Sequence, residues 1–256
     1  DARLKMPSSL SNLTHSTAKQ WSWPKSMLAT SSQARQAARP SLSLKAAICI
    51  VCLIVQPAIT AATDDAQQTI KLPDSGVYVG PLVNGLLNGH GTIRWRDGAT
   101  YEGEFEDGLM HGHGDYRHPN GYHYQGRYSQ GLQHGIGEVT YGNGETYVGQ
   151  FRDGEINGRG ILRSNRGEHY EGDFKDGRFE GQGTYTATDS SVFSGMFVDG
   201  ALNGHGTATY ATGDRYVGGF KDDLRDGKGM AVFTNGDRYD GEFKEGNFHG
   251  KGRFTS

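Results

Sequence analysis

The sequence predicts an all-β fold, an elongated single-layer antiparallel β-meander of about eight 23-residue β-hairpin repeats, curled into a groove. Three observations predict it. The 40 glycines all fall at or after Gly76, and three of their positions recur every 23 residues without insertion or deletion. Aromatic residues recur in the same register, two residues to either side of one of these glycines. Turn dipeptides such as Asp107-Gly108 and Asn120-Gly121 return with the same period. A fixed period of this length marks stacked repeats, in which each unit contacts mainly its neighbours.

Counting Tyr78 as position 1, units start at Tyr78, Tyr101, Tyr124, Tyr147, Tyr170, Phe193, Tyr216 and Tyr239, and the eighth reaches Ser256 short of a full period. Position 3 is glycine in every unit, from Gly80 to Gly241. So are position 12, from Gly89 to Gly250, and position 14, from Gly91 to Gly252. Position 5 is Phe105, Tyr128, Phe151, Phe174, Phe197, Phe220 or Phe243, with Leu82 in the first unit. Positions 1, 3 and 5 of a strand share a face, which therefore reads ring, glycine, ring. Glycine at position 3 opens a gap that a neighbouring ring or backbone closes.

Position 7 is mostly acidic and position 8 mostly glycine, which is turn chemistry. A second strand follows position 12 and carries mostly apolar or aromatic residues at position 16, from Ile93 to Phe254. At positions 20 and 21, Asp97-Gly98, Asn120-Gly121, Asn143-Gly144 and Asn235-Gly236 predict two-residue hairpin turns. About sixteen strands at a spacing of ~4.8 Å make a ribbon that must twist or curl.

Composition agrees with this plan. Only 34% of the 256 residues are hydrophobic while 11% are aromatic, so burial has to come from rings in shallow layers. Residues 1–45 are rich in Ser, Ala, Arg and Gln and carry seven Lys or Arg against Asp1 alone, as in a disordered or targeting segment. Residues 46–63, AAICIVCLIVQPAITAAT, are signal-peptide-like or an apolar anchor, or else an artefact of translation upstream of the true start. Either a disordered region or a short apolar helix is expected there. Cys49 and Cys52 have redox spacing without a βαβ context, and are read as inert. Residues 64–77 read as a linker and residues 78–256 as the repeat domain.

Units such as YEGEFEDGLMHGHGDY (Tyr101–Tyr116) and YEGDFKDGRFEGQGTY (Tyr170–Tyr185) resemble the MORN family, the membrane occupation and recognition nexus repeats. The resemblance spans residues 78–256. Departures are local: Pro81 and Leu82 in unit one, Ser190 and Ser191 at the turn of unit five, and Asp223 in place of glycine in unit seven. What the resemblance implies is a groove-forming β-sheet without enzymatic activity. It implies scaffolding at cytoskeletal, axonemal or membrane structures, in the cytoplasm or associated with membrane or cytoskeleton. If residues 46–63 are a genuine signal, the chain is instead secreted or anchored. Some family members are attached to lipid kinases or SET-domain methyltransferases, so the alternative is an N-terminal segment of a larger enzyme, phosphatidylinositol phosphate kinase-like or methyltransferase-like.

The residues themselves offer no catalytic, cofactor-binding or metal site. Gly142–Gly149 is glycine-rich, but a strand follows it where a phosphate loop needs a helix. His90, His111, His113 and His134 fall at turn positions that are simply polar in other units. Acidic pairs such as Glu102 and Glu104 recur, whereas a catalytic pair occurs once in a distinctive pocket. A net charge of −3 gives no reason to expect nucleic acid as the main partner, and with 18 basic against 25 acidic side chains in residues 78–256 whole-surface attraction to anionic membrane fails. Membrane lipid is left with one local patch, Arg152, Arg159, Arg163 and Arg166. Protein partners are expected along an aromatic groove. Its candidates are Tyr101, Phe105, Tyr124, Tyr128, Tyr147, Phe151, Tyr170, Phe174, Phe193, Phe197, Tyr216, Phe220, Tyr239 and Phe243. A homodimer through an open sheet edge is a further expectation.

Overall fold

The computed structural model describes residues 67–256, so the expected targeting segment 1–45 and apolar segment 46–63 lie outside the described residues. The fold is all-β. Among the described residues no helix is long and apolar enough to cross a membrane. They form two units, 67–178 and 179–256.

In the first unit, β1 (Gln68–Lys71), β2 (Val77–Gly80) and β5 (Gly89–Arg94) lead into β6 (Thr100–Glu106), β7 (Leu109–Arg117), β8 (His123–Ser129) and β9 (Leu132–Thr140). β10 (Thr146–Arg152), β11 (Glu155–Arg163) and β12 (His169–Lys175) follow. Each pairs antiparallel with the next, as a meander requires. β3 (Leu82–Val83) and β4 (Leu86–Leu87) make a small ladder of their own, because Pro81 has no amide to continue β2. Segment 64–77, read as linker from the sequence, contributes β1, which pairs Ile70 with Tyr78 and extends the sheet by one strand.

In the second unit, β13 (Arg178–Thr186), β14 (Val192–Val198), β15 (Ala201–Thr209), β16 (Arg215–Lys221), β17 (Leu224–Val232), β18 (Arg238–Lys244) and β19 (Asn247–Thr255) repeat the pattern. These strands too pair antiparallel in sequence order.

The three glycine positions serve two purposes. Positions 3 and 14 face each other in ladder after ladder: Gly91↔Gly103↔Gly114↔Gly126↔Gly137↔Gly149 in the first unit, Gly195↔Gly206↔Gly218↔Gly229↔Gly241↔Gly252 in the second. Together they make a row without side chains across the strands. Tyr78, Tyr101, Tyr124, Tyr147, Tyr216 and Tyr239, at position 1 of their repeats, lie over this row. A Cβ on Gly126 would stand 2.5 Å from the Tyr124 hydroxyl and 2.6 Å from the Gly137 Cα. The gap at position 3 is thus closed by the unit's own tyrosine, whose hydroxyl donates to the carbonyl of position 4. Tyr101 bonds Glu104 at 3.0 Å, Tyr124 bonds Arg127 at 2.8 Å, Tyr147 bonds Gln150 at 3.0 Å and Tyr216 bonds Gly219 at 2.9 Å. Position 12 serves a bulge. Register shifts after position 3, and the position 12 glycine takes a positive φ, 57° at Gly112 and 74° at Gly158, which costs a residue with a Cβ far more.

The turns differ from expectation in which dipeptide does what. Positions 7 and 8 form the two-residue turns, with both residues at positive φ, 50° at Asp107 and 83° at Gly108. That is the conformation whose twist matches antiparallel strands. The Asn-Gly dipeptides at positions 20 and 21, predicted as two-residue turns, instead sit inside five-residue loops such as 118–122. There only the glycine has positive φ, 89° at Gly121. The asparagine side chain folds the loop by accepting from the amide two residues on, Tyr122 to Asn120 at 2.9 Å and Asp237 to Asn235 at 3.0 Å. Asp97 does the same for Ala99 at 3.0 Å.

Successive repeats are clamped through the backbone. The position 8 amide donates to the position 10 carbonyl of the unit before, Gly108 to Leu87 and Gly131 to Met110 at 2.9 Å. Asp223 replaces this glycine in unit seven without altering the turn. It keeps a positive φ of 69°, and its amide donates to Leu202 at 3.0 Å. Its carboxylate accepts from the Leu202 amide in return, at 2.6 Å.

Two predictions follow from this geometry. Gly126→Ala drives a methyl into the Tyr124 ring and the Gly137 backbone, and lowers stability in urea denaturation by about 2–3 kcal/mol. Burial pushes the Asp223 carboxyl up to about 7 from an ordinary value near 3.8, with Asp222 adding to the rise and the Leu202 amide opposing it. A raised carboxyl pKa favours the fold below the ordinary value, and that advantage is lost as pH climbs to the folded-state value. Wild type therefore loses on the order of 2 kcal/mol against Asp223→Gly between about pH 4 and pH 8. Paired urea midpoints across that range are the measurement, and a constant difference contradicts the assignment.

Candidate functional site

All fourteen aromatic residues expected to line a partner groove are buried. In the first unit, rings at positions 1 and 5 meet edge to face within a repeat and between repeats. Tyr101 meets Phe105 at 5.1 Å and Tyr128 at 5.3 Å, and Tyr124 meets Tyr128 at 5.2 Å and Phe151 at 5.1 Å. Tyr147 continues to Phe151 and Phe174, both at 5.2 Å, and Tyr170 meets Phe174 at 5.1 Å. In the second unit Tyr216 joins Phe220 and Phe243, Tyr239 joins Phe243, Phe197 packs on Phe179, and Phe193 on Tyr210. Edge-to-face contact is the favoured geometry between aromatic rings. These rings are one another's partners and form the core. Burial raises the phenol pKa of Tyr101, Tyr124 and Tyr147, so the hydroxyls stay protonated donors.

Position 10 completes this core and was not singled out in the sequence. Leu87, Met110, Ile156, Phe179 and Leu202 occupy it and are buried. The signal was present, since an apolar residue recurs between the turn glycine and the position 12 glycine.

Alternation along each strand sends positions 2, 4, 13 and 15 to the opposite face. In the first unit that face carries a groove of about 790 Å³ crossing β5 to β10. Thr92, Glu102, Asp115, Gln125, Glu138 and Val148 form its floor, one residue per strand and each the ladder partner of the next. Alongside stand Glu104, His113 and Ile136. Glu104 accepts from the His113 amide at 3.0 Å, closing the bulge with a side chain; Gln150 does the same for Arg159 at 3.1 Å.

Charge in the groove is uneven. Asp115 is held by Arg117 through two bonds of 2.9 Å and by the His123 Nε2 at 3.0 Å. Burial alone raises its carboxyl, but the hydrogen bonds from Arg117 and His123 outweigh it and hold the pKa below the ordinary value. Two aliphatic side chains are set among these polar ones, Ile136 at 59% exposure and Val148 at 40%. Both occupy positions that are polar in most units, a signal that reading only the ring positions misses.

The remaining candidates are dispersed. His111 pairs with Glu106 at 3.1 Å and His118 lies 3.6 Å from Asp97. Among the described residues no three metal-ligating side chains converge. In the arginine patch of unit four, Arg159 lies 3.8 Å from Asp173 and Arg152 stands opposite Glu155 in the ladder, so acidic neighbours dilute it.

The fold and this face define a class first: an all-β hairpin-repeat binding module with an aromatic core on one face and a polar groove on the other. The model of the MORN repeat matches eight times, at residues 76–100, 101–121, 124–146, 147–168, 170–192, 193–215, 216–238 and 239–256. The chain belongs to the MORN repeat family. No curated protein matches it. Among solved structures it is similar to the SAS-4 (dCPAP) TCP domain of Drosophila melanogaster in complex with a proline-rich motif of Ana2 (dSTIL). That likeness is at 15% identity, 78% of this chain, 99% of that chain and a TM-score of 0.38. A microcephaly protein CPAP G-box domain is similar at 9% identity, 75% of this chain, 99% of that chain and a TM-score of 0.44. The wild-type TCP10 domain of Danio rerio CPAP with a peptide of Danio rerio STIL is similar at 16% identity, 69% of this chain, 89% of that chain and a TM-score of 0.29.

The two faces respond differently to truncation. Ile136→Ser leaves the unfolding free energy within about 0.5 kcal/mol of wild type. Phe105→Ala lowers it by about 3–5 kcal/mol. Comparable losses from both variants in urea denaturation contradict the assignment of faces.

Proposed function

We propose that this chain is a non-enzymatic scaffold that binds protein partners in the groove opposite its aromatic core. The observation that carries this reading is the division of labour between the faces. The rings are occupied by one another, while the opposite face keeps a groove of about 790 Å³ with exposed Ile136 and Val148. Exposed aliphatic side chains gathered in a concave, polar-rimmed surface favour a protein partner. The recurring carboxylates are ladder residues rather than a unique pair, which argues against a hydrolytic site. The acidic floor also disfavours anionic membrane lipid. Anchoring at a membrane or cytoskeletal structure is then the property of the partner.

The test places a photoreactive benzophenone side chain at Gln125, on the groove floor, and at Lys175, exposed outside it, in the full chain within its own cells. Irradiation is expected to give a discrete protein adduct from position 125 and none from position 175. No adduct at position 125, or the same adduct at both, overturns the reading.

A further inference from the structure

We propose that the groove of the first unit takes an extended, basic segment of a partner protein, presenting two cationic side chains about 14 Å apart and an aliphatic one beyond the second. This rests on the scaffold reading and names the chemistry of the partner in that same groove.

The spacing comes from the ladder. Glu102, Asp115, Gln125 and Glu138 are successive cross-strand neighbours, so Glu102 and Glu138 stand three strand spacings apart, about 14 Å. The two residues between them do not compete for a cation. Asp115 is already held by Arg117 and His123, and Gln125 is neutral. Glu102 and Glu138 are exposed, and among the described residues neither carboxylate takes part in a hydrogen bond or ion pair. Of the two arginines in the lining, Arg117 is bound to Asp115, which leaves Arg94 on β5. Glu104, beside Glu102 on β6, is engaged by the His113 amide, so the groove offers two unbonded carboxylates three strands apart.

The aliphatic requirement comes from the neighbour of Glu138. Its cross-strand partner is Val148, and Ile136 lies two residues back along β9 on the same face. Both are groove-lining and exposed. Covering them removes apolar surface from water at the end where the second cation binds.

The same spacing selects the conformation of the occupant. In an extended chain four residues cover about 13–14 Å and return to the same side, so cations at i and i+4 reach both carboxylates. The next side chain on that side, at i+6, falls about 7 Å further, by Val148 on the following strand, with Ile136 flanking Glu138. A helix needs about nine residues for the same distance, and nine residues turn it by half a revolution, so its two cations point apart. Anionic lipid is repelled by both carboxylates.

The probe is a fluorescein-labelled dodecapeptide of serine and threonine, with arginine at its third and seventh positions and valine at its ninth. Its controls carry glutamates in place of the arginines, or arginines at the third and fifth positions. With the full chain, fluorescence anisotropy is expected to rise saturably for the probe and not for the glutamate control, and the close-spaced control binds more weakly. Glu102→Gln and Glu138→Gln each weaken the probe about threefold and together about tenfold. Both keep the wild-type urea midpoint, since neither carboxylate holds a bond. Raising NaCl from about 0.05 to 0.3 M weakens the complex further. Glu171→Gln, an exposed carboxylate of the first unit outside the groove, leaves affinity unchanged.

Absence of saturable binding overturns the inference, as does equal affinity for the double variant or an equal loss in Glu171→Gln. If the probe fails while the position 125 cross-link still captures a partner, the basic-segment inference falls and the scaffold reading stands. If the probe binds and the cross-link is empty, the scaffold reading falls and the preference of the groove for cations stands.

Discussion

Everything in these repeats depends on one steric exclusion: no side chain is permitted where a tyrosine has to lie. The row of facing glycines at positions 3 and 14 brings position 1 tyrosines flat against backbone, as the Gly114 Cβ position, 2.5 Å from the Tyr101 hydroxyl, makes plain. From that placement three things follow. The hydroxyl lands on the position 4 carbonyl, so a buried polar group finds its acceptor inside its own repeat. The ring edge is left facing the position 5 ring of the same unit and of the next. The single sheet layer thereby acquires a core without a second layer to cover it, which few aliphatic residues would achieve at this thickness.

Turns and bulges are subordinate to this arrangement. The bulge after position 3 lets the strand bend where the ring passes, and the position 12 glycine supplies the backbone conformation that it needs. The two-residue turn then delivers the position 8 amide to the carbonyl of position 10 in the preceding unit. Coupling between repeats therefore has two strands of different kind, ring on ring and backbone on backbone. Only the first constrains side chains. Unit six illustrates the latitude: Phe193 has no hydroxyl to donate, yet the ladder keeps its register shift at Gly195.

Legibility in the sequence followed the kind of constraint. Steric exclusion leaves an invariant mark, so positions 3, 12 and 14 were visible as periodic glycines, and with them the hairpin meander. What the glycines do was less visible. Position 12 looks like position 3 in one dimension, and only the backbone distinguishes a positive φ from a close approach. Asn120-Gly121 carries the turn dipeptide expected of a tight hairpin. Its loop is five residues long because the asparagine carboxamide binds the Tyr122 amide. The burial of the candidate ring residues was hidden for a related reason. Conspicuous rings at Tyr101 or Phe151 attract a partner hypothesis, but a ring that recurs in every unit has a neighbour in every unit, and is buried by it. Ile136 breaks the polar pattern of its position once and valine that of Val148's position three times, and both were outweighed by the repeat.

The position 10 site shows how far the core itself can vary without losing the clamp. In unit seven it holds Arg225, whose guanidinium lies 5.2 Å from the Phe243 ring centre and 5.7 Å from that of Tyr216, and donates to the Gly246 carbonyl at 2.6 Å. The charge is accommodated because aromatic faces and a carbonyl receive it. The Gly246 amide still donates to the Arg225 carbonyl, at 2.9 Å, as its equivalents do elsewhere. A repeat held by backbone bonds and by a lid of tyrosines can thus carry different side chains at its remaining positions. Those on the face away from the rings lie outside the aromatic core. That face presents one residue per strand, and neighbouring strands set the spacing. On the proposed reading, a partner is selected by the distance between functional groups counted in strand widths, so two unbonded carboxylates three strands apart carry more information than any single acidic residue.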